Sequence, residues 1–182
     1  MIDGVHIWRA HLEGPSWPIL RRVLGHYLDG EPGEEEIAVG EYGKPRLREE
    51  GGVEFNLSHS RNLALIAVAT RPVGVDVEAV RPRRDLVGLA ERFLDPEAAA
   101  AVGEAAEAER ERVFYRAWTR HEARLKCLGT GFNSPSLGST PSGGANRGLA
   151  VETFEVAPGY AAAVAVLGAE VGRLVHRSLQ ER

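Results

Sequence analysis

Two carboxylates stand two residues apart in a short apolar segment, residues 74–78, whose sequence is Gly-Val-Asp-Val-Glu. Because side chains alternate between the faces of a β-strand, Asp76 and Glu78 project to one face and Val75 and Val77 to the other. Adjacent carboxylates repel each other unless a cation or solvent relieves them, and Mg²⁺ prefers oxygen ligands. The pattern therefore indicates either a magnesium site or an edge strand with one solvated face.

A second group of candidate functional side chains lies in residues 117–126, which have a helical pattern. Glu122 and Lys126 are four residues apart and share a helix face, with Trp118 one turn before Glu122 on the same face. This face offers a third carboxylate, an ammonium group suited to phosphate and an aromatic surface. A surface ion pair beside a core tryptophan would explain the same residues.

Hydroxyl groups and an imidazole crowd residues 55–60, Phe-Asn-Leu-Ser-His-Ser, where we predict a turn. Such a turn can present side-chain and backbone donors to an anion. No Gly-x-Ser-x-Gly elbow surrounds Ser58 or Ser60, which disfavours a serine hydrolase. The absence of a Gly-x-x-x-x-Gly-Lys-Ser/Thr loop and of Gly-x-Gly-x-x-Gly likewise disfavours nucleoside triphosphate and dinucleotide folds.

Lysine is scarce in this chain, because only Lys44 and Lys126 are lysines among its 22 basic residues. A lysine ammonium differs from arginine as a compact point charge that suits phosphate. Lys44 stands on a Gly/Pro-rich loop at 40–45. The scarcity indicates either specific roles for the two lysines or mutational drift in a GC-rich coding sequence.

Hydrophobic periodicity predicts the short elements that must position these groups. A helix that begins near Ser16 carries an apolar stripe, with Arg21 and Arg22 beside it. We predict strands at 5–8, 37–39, 63–69, 74–78, 149–156 and 160–166, helices at 19–28, after Asp95 and at 113–128 up to Gly129, a loop at 133–148 and a polar tail.

Composition bounds the class of protein. Of 182 residues, 43% are hydrophobic and 26% charged, which is typical of a globular domain and excludes a disordered or fibrous chain. The net charge of −4 offers nucleic acid no basic surface. The apolar stretches at 63–69 and 160–168 are shorter than the ~20 residues of a membrane span. Residues 1–6 lack the pattern of a secretory signal and Cys127 stands alone, so we expect a cytoplasmic protein.

A weak internal similarity links the two halves of the chain. Residues 55–57 and 62–68 resemble residues 154–156 and 159–165, since each pair is a strand, a turn and an Ala/Val-rich strand. Two half-domains of similar build would explain the similarity. Chance likeness between two hydrophobic hairpins would explain it as well.

Four motifs, taken in order, resemble the 4'-phosphopantetheinyl transferases of the two-subdomain, surfactin-synthetase-activating type. Residues 20–24 are also similar to the family's amino-terminal arginine helix, and residues 160–165 to its closing strand. The four motifs are Tyr-Gly-Lys-Pro at 42–45, Phe-Asn-Leu-Ser-His-Ser at 55–60, Gly-Val-Asp-Val-Glu at 74–78, and residues 118–126 with Gly-Thr-Gly at 129–131.

The resemblance implies a Mg²⁺-dependent transfer of the phosphopantetheine arm of coenzyme A to a serine of an acyl or peptidyl carrier protein, with release of 3',5'-ADP. A catalytically weakened binding module and a Mg²⁺-dependent phosphoesterase are the alternatives. The roles implied are metal binding by Asp76, Glu78 and Glu122, proton removal by Glu122, contact with the transferring phosphates by Lys126, and coenzyme A binding by Ser58, His59, Arg21, Lys44 and His121.

The implied fold is α+β, with two similar αβ subdomains at 1–72 and 73–182 related by a pseudo-twofold axis, in a monomer that holds coenzyme A in the cleft between them.

The family usually has lysine where His121 stands, so a phosphate contact there would depend on pH. The chain is also shorter than typical relatives, which predicts weaker coenzyme A binding. Carrier proteins of this family present an acidic helix, for which Arg81, Arg83 and Arg84 are candidate contacts; a solvated basic turn explains these arginines equally.

Overall fold

The fold is seen in a computed structural model that describes residues 2–40, 42–49, 51–129 and 148–179. Within these ranges the chain forms an α+β arrangement of strands and four α-helices, as the sequence predicts. The strands are β1 (Val5–His11), β2 (Ile37–Val39), β3 (Pro45–Leu47), β4 (Glu54–Ser60), β5 (Leu63–Ala69), β6 (Val73–Ala79), β7 (Leu149–Phe154), β8 (Tyr160–Leu167) and β9 (Leu174–Ser178), and the helices are α1 (Trp17–Leu24), α2 (Leu86–Phe93), α3 (Pro96–Glu104) and α4 (Glu107–Leu128).

The strands form two main sheets and a small β2–β3 ribbon. The larger sheet has the order β4-β5-β1-β9, and the smaller has the order β6-β8-β7. Strands β4 and β5 form an antiparallel hairpin, and so do β7 and β8. Strand β9 pairs in parallel with β1, so the end of the described chain returns to the sheet formed by its beginning.

The core lies where the two sheets meet and follows the alternation of the strands. Val73, Val75 and Val77 of β6 face this core, which also includes Ile7 of β1 and Leu65 of β5. All three β6 valines are fully buried. Because of the period of two, the same strand directs Gly74, Asp76 and Glu78 to its opposite face.

The opposite face of the β6–β8 sheet is covered by α4, which packs against it through small residues. Ala163 and Ala165 of β8 contact Ala123 and Cys127 of the helix. A Cβ atom at Gly74 would overlap the backbone of Ala123 and Cys127, so glycine is required for this close approach. The small side chains therefore bring the α4 backbone close to the strand that carries the paired carboxylates.

Several elements differ from the prediction. Residues 55–60 belong to strand β4 and not to a turn, because their backbone pairs with β5 along its whole length. The predicted polar tail contains strand β9. Helix α1 ends at Leu24, where Gly25 caps it, and not at residue 28. Helix α2 was not predicted; the Asp85 side chain caps its first turn by accepting from the Gly88 amide.

Strand β3 was also not predicted, and α4 begins at Glu107 and not at residue 113, whereas the other predicted strands and helix α3 lie close to their predicted positions. Asp95 accepts from the Ala98 amide at the start of α3, and Gly129 ends α4 in the left-handed conformation. The predicted loop at 133–148 and the motif residues 130–131 lie outside the described residues, apart from Gly148. No helix in the described ranges is both long and apolar enough to cross a membrane.

Candidate active site

A cleft of about 320 Å³ lies between β4, the polar face of β6 and helix α4. Its walls bring together residues that are far apart in the sequence, because β4 and β6 lie side by side and α4 crosses over β6. The lining residues are Leu57, Ser58, His59, Asp76, Glu78, Trp118, Glu122 and Lys126. The cleft thus contains all three predicted metal ligands, both predicted catalytic residues, and two of the predicted coenzyme A contacts.

Asp76 lies at the floor of the cleft and is only 3% exposed. Its Oδ1 atom accepts from the Ser58 hydroxyl at 2.8 Å and from the Lys126 ammonium at 2.7 Å. Lys126 also donates to Ser58 Oγ at 2.9 Å, which closes a triangle of polar groups. A buried carboxylate requires such compensation, because burial without a partner costs several kcal/mol.

Glu78 lies two residues farther along β6 and is half-buried. Its Oε2 atom accepts from the Ser60 hydroxyl at 2.9 Å. The pKa of Glu78 is raised, mainly because burial penalises its charge, while the Ser60 hydrogen bond lowers it and the nearby charge of Asp76 raises it further.

Glu122 faces these two carboxylates from α4. Burial, together with the charges of Asp76 and Glu78, raises its pKa to about 7, although Lys126 acts in the opposite direction. Its Oε1 atom is buried and has no hydrogen-bond partner among the described residues. Three carboxylates therefore share one cleft with a single lysine, and this cluster is short of positive charge.

The cluster has the chemistry of a divalent cation site. Asp76 Oδ2, like Glu122 Oε1, is buried and accepts no hydrogen bond within the described residues. Carboxylate oxygens are the ligands that Mg²⁺ prefers, and its charge would relieve the repulsion that raises the pKa of Glu122. In the described parts of the chain no three acidic, histidine or cysteine side chains stand close enough to form a finished metal site. The donor set therefore fits a metal ion, and binding requires the carboxylates to converge.

The raised pKa of Glu122 predicts how the stability of the metal-free protein depends on pH. The folded protein binds the Glu122 proton more tightly than the unfolded chain, whose pKa is 4.5, so this contribution to stability falls as pH rises from 4.5 to about 7. Asp76, Glu78 and Lys126 face Glu122, and His59 lines the same cleft. We expect Glu122→Gln to raise the melting temperature in chelator more at pH 8 than at pH 5. The melting temperatures are measured by circular dichroism. An equal rise in melting temperature at pH 5 and pH 8 would contradict the raised pKa of Glu122.

Three other predicted coenzyme A contacts lie outside the residues that line the cleft. The Lys44 ammonium donates at 3.0 Å to the carbonyls of Val73 and of Cys127, and burial lowers its pKa. Arg21 on α1 donates through Nε to the Pro32 carbonyl at 2.5 Å.

His121 lines a neighbouring groove between α3 and α4. Its ring lies 6.5 Å from that of Trp118, measured between centroids. Burial and the charge of Arg124 lower the pKa of His121, while Asp95 raises it. The imidazole is therefore biased toward its neutral form.

The sequence did not assign roles to Asn56 and Ser60, which bond to β6 beside the cleft. The Asn56 amide oxygen accepts from the Val75 amide at 2.9 Å. Ser60 bonds to both Glu78 and the Ala79 amide. Asn56 and Ser60 each lie two residues from Ser58, which places all three side chains on one face of a strand. This spacing predicts a shared role only if residues 55–60 form a strand and not a turn.

Comparison with known proteins shows which family of proteins this part of the chain resembles. Residues 72–157 match the family model of the 4'-phosphopantetheinyl transferase superfamily. This range contains β6 and α4, and with them the three carboxylates and Lys126. The predicted resemblance to the 4'-phosphopantetheinyl transferases is confirmed, and the family model covers residues 72–157 of this chain.

Individual proteins show the same similarity. The chain is 44% identical to the 4'-phosphopantetheinyl transferase HetI of Nostoc sp., over 62% of this chain and 49% of HetI. It is 38% identical to the 4'-phosphopantetheinyl transferase AcpT of Salmonella typhimurium, over 63% of this chain and 58% of that protein. The 4'-phosphopantetheinyl transferase ffp of Bacillus subtilis is 28% identical over 80% of this chain and 69% of its own length. The chain therefore spans about half the length of HetI.

Proposed function

We propose that this chain is a 4'-phosphopantetheinyl transferase that moves the phosphopantetheine arm of coenzyme A to a serine of an apo acyl or peptidyl carrier protein. The observation that supports this most strongly is the cluster of Asp76, Glu78, Glu122 and Lys126 in one cleft, within the part of the chain that matches the superfamily. A binding module that had lost catalysis would have no need of these carboxylates, two of which bear a buried oxygen that has no partner among the described residues.

The reaction joins the carrier serine oxygen to the β-phosphorus of coenzyme A and breaks the bond from that phosphorus to the bridging pyrophosphate oxygen. The serine proton passes to Glu122, directly or through a water molecule, and 3',5'-ADP leaves with the electron pair of the broken bond. The charge of a bound cation would offset the repulsion that raises the pKa of Glu122 in the metal-free protein, so that this carboxylate is ionised and can accept the proton near neutral pH. Mg²⁺ held by Asp76, Glu78 and Glu122 would supply neutralisation of the pyrophosphate charge.

Lys126 is placed to contact the transferring phosphates, because its ammonium already lies on the floor of the cleft between Ser58 and Asp76. His59 lines the mouth of the same cleft and is exposed. We propose that both residues bind the phosphates of coenzyme A. The Ser58 hydroxyl donates to Asp76 and accepts from Lys126 and from the Val77 amide, so it would act by holding these groups in place.

Arg21, Lys44 and His121 stay proposed contacts of coenzyme A. Two of the three Lys44 ammonium protons are used by the carbonyls of Val73 and Cys127, which leaves one for a phosphate. Among the described residues Arg21 bonds through Nε to Pro32, and we propose that the terminal nitrogens of its guanidinium bind the 3'-phosphate end.

The arrangement of subdomains also belongs to the proposal. We propose two αβ subdomains, 1–72 and 73–182, related by a pseudo-twofold axis in a monomer of the surfactin-synthetase-activating type. The β4–β5 and β7–β8 hairpins support it, because each half contributes one antiparallel hairpin with an Ala/Val-rich strand. We further propose a cytoplasmic location, where coenzyme A is available.

Product analysis tests the proposed reaction against a phosphoesterase. We expect 3',5'-ADP to accumulate only when coenzyme A, Mg²⁺ and an apo carrier protein are all present, as measured by liquid chromatography. Release of the nucleotide without a carrier would instead identify a hydrolase. A carrier whose serine is replaced by alanine provides the matched control.

The carrier is expected to dock on the exposed basic segment that follows β6. Arg81, Arg83 and Arg84 are exposed, and the charge of Arg81 acts on Glu78 in the cleft. If they steer an acidic carrier, neutralising all three with glutamine should raise the carrier KM by about tenfold, weaken its salt dependence and leave the coenzyme A KM unchanged.

The control for this experiment neutralises three exposed arginines on other elements. Arg46, Arg112 and Arg177 serve because they lie on β3, α4 and β9 and do not line the cleft. An equal rise in the carrier KM for both triple variants would show a nonspecific charge effect and reject the docking segment.

A further inference from the structure

Strands β4 and β6 are the edges of two different sheets, and side chains rather than backbone groups join them. Each sheet ends at one of these strands, since the orders are β4-β5-β1-β9 and β6-β8-β7. The Val75 amide donates to Asn56 Oδ1 at 2.9 Å, the Val77 amide to Ser58 Oγ at 3.3 Å, and the Ala79 amide to Ser60 Oγ at 3.1 Å. We call these three side chains of β4 the polar ladder.

The polar ladder satisfies a strict requirement of the backbone. Successive amides on one edge of a strand are two residues apart, and Asn56, Ser58 and Ser60 have the same spacing. The β6 edge is buried between the sheets, where an unpaired N–H group costs about 1–3 kcal/mol. On the same edge of β6, two residues before Val75, the Val73 carbonyl accepts a hydrogen bond from the Lys44 ammonium.

In the described parts of the chain, the hydroxyl members of the polar ladder make a second bond that has no counterpart at Asn56. Ser58 Oγ accepts from the Val77 amide and donates to Asp76, while Ser60 Oγ accepts from the Ala79 amide and donates to Glu78. One oxygen atom thus fixes both a carboxylate and the backbone amide that follows it. The orientation of each carboxylate is tied to the position of the strand.

We propose that Ser60 is a positioning residue that orients Glu78 for the metal ion, and that Asn56 fixes only the strand. This inference rests on the proposed function, since it concerns the cation site of the same cleft. Hydrogen bonds to ligating carboxylates hold them in the geometry that the ion requires, and their loss commonly weakens metal binding by about 10–100-fold. Substitutions at Ser60 and at Asn56 can therefore distinguish loss of ligand orientation from loss of support for the fold.

The test measures Mn²⁺ binding to the full chain by isothermal titration calorimetry, without coenzyme A or carrier. We expect Ser60→Ala to weaken Mn²⁺ binding by about tenfold, and Ser60→Thr, which keeps the hydroxyl, to restore most of it. Asn56→Ala should lower the melting temperature and leave Mn²⁺ affinity of the folded protein within about twofold of the wild type. Amide exchange measured by nuclear magnetic resonance should rise at Ala79 in Ser60→Ala and at Val75 in Asn56→Ala.

The possible outcomes separate this proposal from the proposed function. Wild-type Mn²⁺ affinity in Ser60→Ala, with transfer activity present in the wild-type protein, would overturn the positioning role alone. Equal loss of affinity in Asn56→Ala and Ser60→Ala would also overturn it, because general loosening of β6 would then explain both. A wild-type protein that binds no Mn²⁺ would overturn the metal assignment and this proposal together.

Discussion

Replacing Asp76 by asparagine is expected to reduce phosphopantetheine transfer by about a thousandfold while the fold is retained. The substitution keeps the size of the side chain but removes the charge of a buried, proposed metal ligand whose Oδ2 atom has no partner in the described structure. Metal-dependent stabilisation of phosphoryl charge is worth several kcal/mol, and each 1.36 kcal/mol changes the rate about tenfold. Initial rates at saturating Mg²⁺ measure the effect, and circular dichroism verifies the fold.

Glu122→Gln provides an independent check on the same assignment, because it removes a proposed metal ligand from the opposite wall of the cleft. A similar loss is expected, since this substitution also removes the proposed base. Unchanged rates in both variants at saturating Mg²⁺ would contradict the metal site. If only Glu122→Gln reduced the transfer rate, the result would support Glu122 as the proton acceptor but not Asp76 as a metal ligand.

The largest effect on stability is expected for Val77→Asp. Val77 is fully buried in the core between the two sheets, on the face of β6 opposite the carboxylates. An unpaired buried charge costs several kcal/mol, which is comparable with the total stability of a domain, about 5–15 kcal/mol. We expect the variant to be largely unfolded at 25 °C by circular dichroism.

Val39→Asp is the matched control, because Val39 is 59% exposed at the end of β2. The same chemical change at this position should alter the free energy of unfolding by no more than about 0.5 kcal/mol. A stable, cooperatively folded Val77→Asp protein would contradict the orientation of β6, and with it the placement of Asp76 and Glu78 in the cleft.

The chemistry of the cleft could be predicted from local patterns. The period of two on residues 74–78 placed both carboxylates on one face, and the helical spacing placed Trp118, Glu122 and Lys126 together. What local patterns cannot show is that the two faces meet. That contact depends on Gly74 and on the alanines of β8, which let α4 approach the sheet closely.

The polar ladder could not be predicted, because it is a tertiary arrangement. Asn and Ser favour turns, and residues 55–60 were interpreted as a turn. The free edge of β6 requires polar side chains at alternate positions of β4, and this requirement overrides the local preference. Strand β9 was missed for a similar reason: its Val-His-Arg-Ser sequence is mostly exposed, and its partner β1 lies at the other end of the described chain.

The intact mass of the carrier protein directly measures the proposed transfer of the phosphopantetheine arm to a carrier serine. The protein is incubated with coenzyme A, Mg²⁺ and an apo carrier protein, and the carrier is then analysed by mass spectrometry. We expect the carrier to gain the mass of one phosphopantetheine group, located at its serine by fragmentation, and we expect chelation of the metal to prevent this gain. A carrier of unchanged mass, although coenzyme A is present and the chain is folded, would show that the chain does not catalyse the proposed transfer.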